Sequence, residues 1–187
     1  VLRKKKNDKI LFTDGKGNLY SSYIDKINKD NCHLNKIKKI KSVEKTIELE
    51  VAISLIKSQS RLEWMVEKLS EIGVNSISFI TTKHSERKKL KYQRLIKKTI
   101  SALKQCKSLF LTELNETVSL DNLIRIHRDT DNKFFADIDY NKKLNTPLVG
   151  KKCLLIIGPE GDFSENEKKL MSDNGFKKIS LGNNILR

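Results

Sequence analysis

Five apolar residues fall on successive odd positions, Ile47, Leu49, Val51, Ile53 and Leu55, which marks 47–55 as a strand with at least one buried face. A helix pattern follows after a short joint. Leu62, Met65, Val66, Leu69 and Ile72 form one apolar stripe, Ser60-Arg61-Leu62-Glu63 has capping-box spacing, and Gly73 stands where a helix C-cap is expected. Val74 to Ile80 is strand-like again. Strand, helix and strand joined this tightly make a βαβ unit, and such a unit commits the chain to a parallel sheet with right-handed crossovers.

The rest of the chain extends that sheet. A basic helix is predicted over 90–107, with Leu95, Ile96, Leu103 and Cys106 towards the core, and a shorter one over 120–127. Phe134 to Ile138 reads as a strand, and Cys153 to Ile157 as an apolar strand buried on both faces. Ser164-Glu165-Asn166-Glu167 repeats the capping-box pattern ahead of a helix that Gly175 ends, and Ile179 to Leu181 is the next strand. Before residue 47 the character differs. Residues 10–27 alternate around "TDGKGN", which is turn chemistry for a β-hairpin, and short polar strands continue to about Lys45. This basic, β-rich piece is small for an independent domain, and the start at Val1 reads as a cut N-terminus.

Charge narrows the partners. The formal net charge is +15, and from Lys83 to Lys107 ten Lys or Arg stand against the single acid Glu86. A block that skewed points to a polyanion, nucleic acid first, bound in a salt-sensitive way; a lysine-rich proteome is the bland alternative. Cys32, Cys106 and Cys153 are far apart with no CxxC pair, so reduced thiols in a cytoplasmic protein are expected, with neither a disulfide frame nor a metal site. No apolar run approaches the roughly 18 to 20 residues of a membrane helix, and no secretory h-region is visible. His33 and His127 read as surface or packing residues, His84 as a possible RNA contact, and Trp64 as core or interface.

Two glycine-bearing loops leave strand ends, Gly158-Pro159-Glu160-Gly161 and Gly182-Asn183-Asn184. In an open parallel sheet ligands sit at such ends, and glycine lets the backbone itself approach them. Neither loop is a Walker loop or a GxGxxG, so the pattern does not argue for a phosphate cradle or a dinucleotide. Each is also compatible with a plain turn.

At this point the chain resembles a known family. "IIGPEGDFSENE" followed by "GFKKISLGNNILR" is similar to the RsmE family of SPOUT methyltransferases, whose hallmarks are a Gly-Pro-Glu-Gly-Gly-Phe-Ser stretch and, about twenty residues on, Leu-Gly-x-x-Ile-Leu-Arg. "KSQSRLEWMVEKLSEIGV", "TTKHSERKK" and "RLIKKTISALKQC" resemble upstream blocks in the same order, and "VLRKKKNDKILFTDGKGNLY" resembles the family's PUA-like RNA-binding module. The resemblance implies an α/β SPOUT-type parallel sheet with a C-terminal trefoil knot, preceded by a small PUA-like β-barrel. The expected domains are 1–46, PUA-like and incomplete at its N-terminus, and 47–187, the methyltransferase domain, incomplete at its C-terminus. The family continues past Arg187 with a Thr/Glu-rich loop and a last helix.

The implied activity is N3-methylation of a uridine in 16S ribosomal RNA, with S-adenosylmethionine as donor, by a homodimer. Carried over residue by residue, the cofactor contacts are Ile157, Gly158, Pro159, Glu160, Gly161, Leu181, Gly182, Asn183, Ile185 and Leu186, and less certainly the end of the 134–138 strand. RNA contacts are expected at Arg3, Lys57, Lys68, Ser85, Arg87, Lys88, Lys89 and Arg94. Arg187 can stabilise a developing uridine anion, grip a phosphate, or be an ordinary chain-end arginine; Glu160 can orient or accept a proton, or cap a neighbouring backbone. Asp162 replaces the family's second glycine, where an acid suits a helix N-terminus. A non-catalytic RNA-binding protein of the same fold, or a SPOUT enzyme with another RNA target, are the rival readings.

Overall fold

The computed structural model describes residues 4–29, 31–85, 90–141 and 147–182. Three antiparallel strands come first, β1 (Lys9–Thr13), β2 (Asn18–Ile27) and β3 (Cys32–Ser42), in the order β1-β2-β3. Asp14 builds the first turn: one carboxylate oxygen accepts Asn18 Nδ2 at 2.6 Å, and the other accepts Lys16 N at 2.8 Å. The Asn18 side chain leads the contacts that hold this carboxyl down at about 2.

The turn also docks the small sheet onto the rest of the chain. Gly17 N donates to Leu109 O and Leu111 N to Gly15 O, each at 2.9 Å, and Thr13 Oγ1 donates to Leu109 O at 3.0 Å.

The second sheet has six strands, β4 (Glu48–Ser54), β5 (Ser76–Thr81), β6 (Glu113–Ser119), β7 (Asn132–Ala136), β8 (Lys152–Ile157) and β9 (Lys177–Ile179), in the order β6-β5-β4-β8-β7-β9. Every pairing is parallel. Helices α1 (Gln59–Glu71) and α2 (Tyr92–Cys106) cover one face, α3 (Leu120–Ile126) and α4 (Glu165–Asp173) the other. The period-2 alternation of the strands makes this possible. Val51, Ile53, Ile77 and Phe79 pack with Leu62, Val66 and Leu95, whereas Ala52, Ile80, Leu154 and Ile156 pack with Leu120, Leu123 and Met171. A third cluster of Phe134, Cys153 and Ile179, with Leu49, Leu148 and Leu155 against it, contains no residue of a described helix.

Local expectations hold in part. Ser164 caps α4 with the full reciprocal box, and Gly73 and Gly175 follow their helices at φ +87 and +80. The box expected at Ser60 is not formed: α1 starts at Gln59, so Ser58, still extended, supplies the cap to Arg61 N at 3.3 Å, and Ser60 lies inside the first turn. Cys106 and Ile72 face solvent, Ile72 at 75% exposure, and Thr99 and Ala102 carry the core side of α2 instead. Trp64 is 62% exposed, which removes it from the core. Strand β6 was invisible in the sequence, because this edge strand reads Glu-Leu-Asn-Glu-Thr-Val-Ser and has little apolar alternation to detect. Residues 183–187, on which the expected knot falls, lie outside the described residues.

Candidate active site

The strand order fixes where a ligand can enter. From β4 the chain crosses over α1 to β5 on one side; from the adjacent β8 it crosses over α4 to β9 on the other. The carboxyl ends of β4 and β8 therefore form a topological switch point, the usual crevice of an open parallel sheet. A cavity of about 420 Å³ opens there, lined by Leu55, Ile56 and Lys57 after β4, His84 after β5, and Pro159, Glu160 and Gly161 after β8.

Its walls are tied together by specific contacts. Ser54 Oγ, on the last residue of β4, lies 3.0 Å from Thr82 Oγ1 and 2.9 Å from Ser85 Oγ, and Ser85 Oγ accepts Thr82 N at 2.8 Å. This hydroxyl cluster pins the loop after β5 to the end of β4. Glu167 holds the same loop to α4: it accepts Lys83 N at 2.8 Å through one oxygen and Ser164 N at 2.9 Å through the other. Burial raises the Glu167 carboxyl, but these N–H donors and the Ser164 hydroxyl outweigh it, and the group is held below its ordinary range. His84 Nδ1 lies 3.0 Å from Asp162 O, and since a carbonyl only accepts, Nδ1 carries the proton and Nε2 is the acceptor of the neutral ring. Across the cavity mouth Arg61 Nη1 donates to Glu160 Oε1 at 3.0 Å. Both side chains are more than half exposed, so the pair adds little stability, and its consequence is that it sets where the Glu160 carboxylate stands.

Behind the 158–163 loop lies a second polar centre. Lys168 of α4 points back under the loop, where Nζ meets Asp162 Oδ2 at 2.8 Å and Asp137 Oδ1 at 3.3 Å, with Asp139 at 3.6 Å and Glu165 at 3.7 Å. Burial alone would lower this amine, but Asp162 and then Asp137 outweigh it and hold Lys168 protonated well above the usual lysine range. Asp137 has a second partner in Lys178 Nζ of β9 at 2.9 Å. The ligand oxygens of Asp137, Asp139 and Asp162 lie within 4.8 Å of one another, as a cation site requires, but the Lys168 ammonium already sits among them.

The Gly158–Gly161 loop and Gly182 follow β8 and β9 at the same end of the sheet, but the end of β7 stands between them, since β7 separates β8 from β9. Gly158 is demanded by packing: a Cβ there would meet the Phe163 ring at 2.9 Å. Gly161 is not, because its Cβ would meet nothing nearer than His84 at 3.8 Å and its φ lies outside the left-handed region. Gly182, at φ +148, has open space around it. Among the described residues nothing thus fills the space at Gly161 or Gly182, which fits backbone approach to a cofactor.

The remaining predicted residues are distributed as follows. Ile157 closes β8, and Leu181 follows β9 at 46% exposure. Lys57 lines the cavity, Ser85 belongs to the hydroxyl cluster, and Arg94 is exposed in the first turn of α2. Lys68 is not brought to the group: it lies nine residues down α1 from Gln59, roughly 14 Å at 1.5 Å per residue, with Nζ 2.9 Å from Glu71 Oε2. Arg3, Arg87, Lys88, Lys89, Asn183, Ile185, Leu186 and Arg187 lie outside the described residues. Sequence reasoning missed Arg61, Asp137 and Lys168. The one available signal was the Asp-x-Asp run at 137–139 just past a strand, together with the six-residue step from Asp162 to Lys168.

Residues 43–187 match the model of a family described as an RNA methyltransferase domain, and residues 1–37 that of an RNA methyltransferase PUA domain. Over 191 residues the chain is 25% identical to ribosomal RNA small subunit methyltransferase E of Rickettsia conorii, covering 100% of this chain and 78% of that protein. A Porphyromonas gingivalis crystal structure described as a probable rRNA-methyltransferase superposes with a TM-score of 0.82 at 31% identity, over 99% of this chain and 80% of the other. A Legionella pneumophila methyltransferase solved in complex with the cofactor S-adenosylmethionine gives 0.82 at 25% identity, over 99% and 79%.

Proposed function

This chain belongs to the RNA methyltransferase family whose domain spans residues 43–187, and from that premise we propose that it methylates N3 of a uridine in the 16S RNA of the small ribosomal subunit, with S-adenosylmethionine as donor. The observation that carries the reading is the convergence at the switch point of the Gly158–Gly161 loop and the loops after β4 and β5 around a cavity of about 420 Å³. The names of the curated relatives and the cofactor of the Legionella structure support it.

When bound, S-adenosylmethionine supplies a methyl group already activated by its sulfonium, so the protein has mainly to aim the acceptor and take up the uracil N3 proton. Backbone groups of the 158–161 loop and of 181–182 hold the cofactor. The cavity that this loop helps to line admits the base, with Leu55, Ile56 and Pro159 excluding water. Glu160 is set by Arg61 to orient the base or accept its proton, and Arg187 to stabilise the anion that results. Lys57, Arg94, Arg87, Lys88 and Lys89 grip phosphates, as do Arg3 and the small N-terminal sheet, whose Lys38, Lys39 and Lys41 are exposed.

The domains divide as 1–46 and 47–187, and the working unit is a cytoplasmic homodimer. Among the described residues no helix is long and apolar enough to cross a membrane.

Two measurements test the reading. Calorimetric titration with S-adenosylmethionine is expected to show one site per chain, and no heat at millimolar cofactor would favour a non-catalytic RNA binder. Mass mapping of 16S RNA from a deletion strain is expected to show one lost methyluridine; unchanged RNA would remove the assigned target.

A further inference from the structure

We infer that Lys168 is a positioning residue for cofactor binding, holding the loops that follow β7, β8 and β9 in one register through Asp162 and Asp137. The inference rests on the methyltransferase reading. Its starting point is a departure from the family's glycine: Asp162 sits at φ +59, a left-handed conformation that a residue carrying a Cβ adopts only at a cost. Such a residue persists where its surroundings over-determine it, and here they do. Its carboxylate meets Lys168 Nζ at 2.8 Å, its carbonyl accepts from His84 Nδ1 at 3.0 Å, and its N–H donates to Pro159 O at 3.0 Å.

The lysine explains the aspartate. The Lys168 side chain is 7% exposed and that of Asp137 is 1% exposed, so neither charge can be left alone without a large desolvation penalty. Asp137 stands at the end of β7, its N–H donates to Ile179 O at 3.1 Å, and its second oxygen takes Lys178 of β9. One buried ammonium thus joins the β8 loop to the end of β7, and Asp137 passes the connection on to β9. These are the three segments assigned to the cofactor. Lys168 is not among the residues that line the cavity assigned to the base, where His84, Lys57 and Leu55 stand. The clamp therefore acts on cofactor affinity more than on acceptor chemistry.

The full chain is compared with Lys168→Met, Lys168→Arg, Asp162→Gly, Asp162→Asn and the Lys168→Met/Asp162→Gly double variant, by thermal unfolding, calorimetric titration with S-adenosylmethionine and steady-state methylation. Lys168→Met is expected to raise Kd and KM for the cofactor at least about tenfold, since small misplacements of binding groups carry penalties of that order, while kcat at saturating cofactor stays within about twofold. Lys168→Arg is expected to recover most of the affinity. The double variant is expected to bind more tightly than Lys168→Met alone, because glycine takes the left-handed position freely and removes the stranded carboxylate. A folded Lys168→Met that binds like the parent, or a double variant no better than Lys168→Met, overturns the inference. Should Lys168→Met fail to fold, Asp162→Asn decides: a Kd raised about threefold or more supports the clamp, and an unchanged one overturns it. A parent that binds no cofactor overturns the methyltransferase reading, whereas a parent that binds with all variants unchanged overturns only this one.

Discussion

Gly158 and Gly161 lie three residues apart in one loop, yet a methyl group added to each should do opposite things. At Gly158 the new Cβ would stand 2.9, 3.1 and 3.2 Å from three carbons of the Phe163 ring. That ring is 3% exposed and packs edge-on to Phe135 with centroids 6.2 Å apart, so it cannot swing into solvent. Relief requires shifting the ring or the loop, an overpacking penalty of roughly 1 to 3 kcal/mol. For a chain of this size that corresponds to about 2 to 12 °C in Tm. At Gly161 the nearest atom would be His84 Cβ at 3.8 Å, ordinary contact, and the backbone is not left-handed, so Gly161→Ala should leave Tm within about 1 °C. Its effect should appear only with cofactor: a methyl on the loop face that S-adenosylmethionine approaches should weaken binding about tenfold or more. The assay is thermal unfolding with and without S-adenosylmethionine, plus calorimetric titration of both variants. Equal losses of Tm would refute the packing argument, and normal cofactor affinity in Gly161→Ala would refute backbone approach at that position.

Other perturbations test separate parts of the molecule. Gly17→Ala, at φ +96, would place Cβ 2.3 Å from Val43 O and 2.8 Å from the Phe110 ring, so a loss of at least about 3 kcal/mol is expected in denaturant unfolding; a loss near 1 kcal/mol would mean the turn is not wedged against Phe110. Glu50 is raised by burial but lowered more by His127, Ser78 and Asn115, so its folded value lies below 4.5. A depressed carboxylate contributes stability that is complete above its unfolded value and is lost as pH falls through the folded one. Glu50→Gln should therefore flatten the acid limb of the stability curve below about pH 4.5, and an unchanged limb would place that dependence elsewhere. Lys91, Arg94 and Lys97 are exposed on α2, and replacing all three by Ala should weaken RNA binding and reduce its salt slope by roughly 2, at about 0.7 per phosphate of a single strand; an unchanged slope in filter binding would take this face out of the RNA path.

The parts legible in the sequence are those that obey a short-range rule. Odd-position apolar residues at 47–55 became β4, the box at Ser164 became the cap of α4, and the Gly158–Gly161 loop leaves the end of β8 as expected. Legibility failed where a position is decided by a distant partner. Edge strand β6 carries no apolar signature because only one neighbour, β5, needs it, and Ser60 lost the cap to Ser58 by two residues that local pattern cannot rank. The site shows the same division. Its loops could be read, but the contacts that set them span long stretches of chain: Arg61 to Glu160, His84 to Asp162, Asp137 to Lys168. Asp162 is the sharpest instance. An acid just before a helix suggests interaction with the helix N-terminus, yet its carboxylate is taken by a lysine one turn into that helix, 2.8 Å away. A strained aspartate stands at a point where a buried ammonium also faces the Asp137 carboxylate, so the local strain is offset by a contact that only the folded sheet, with β7 inserted between β8 and β9, brings into being.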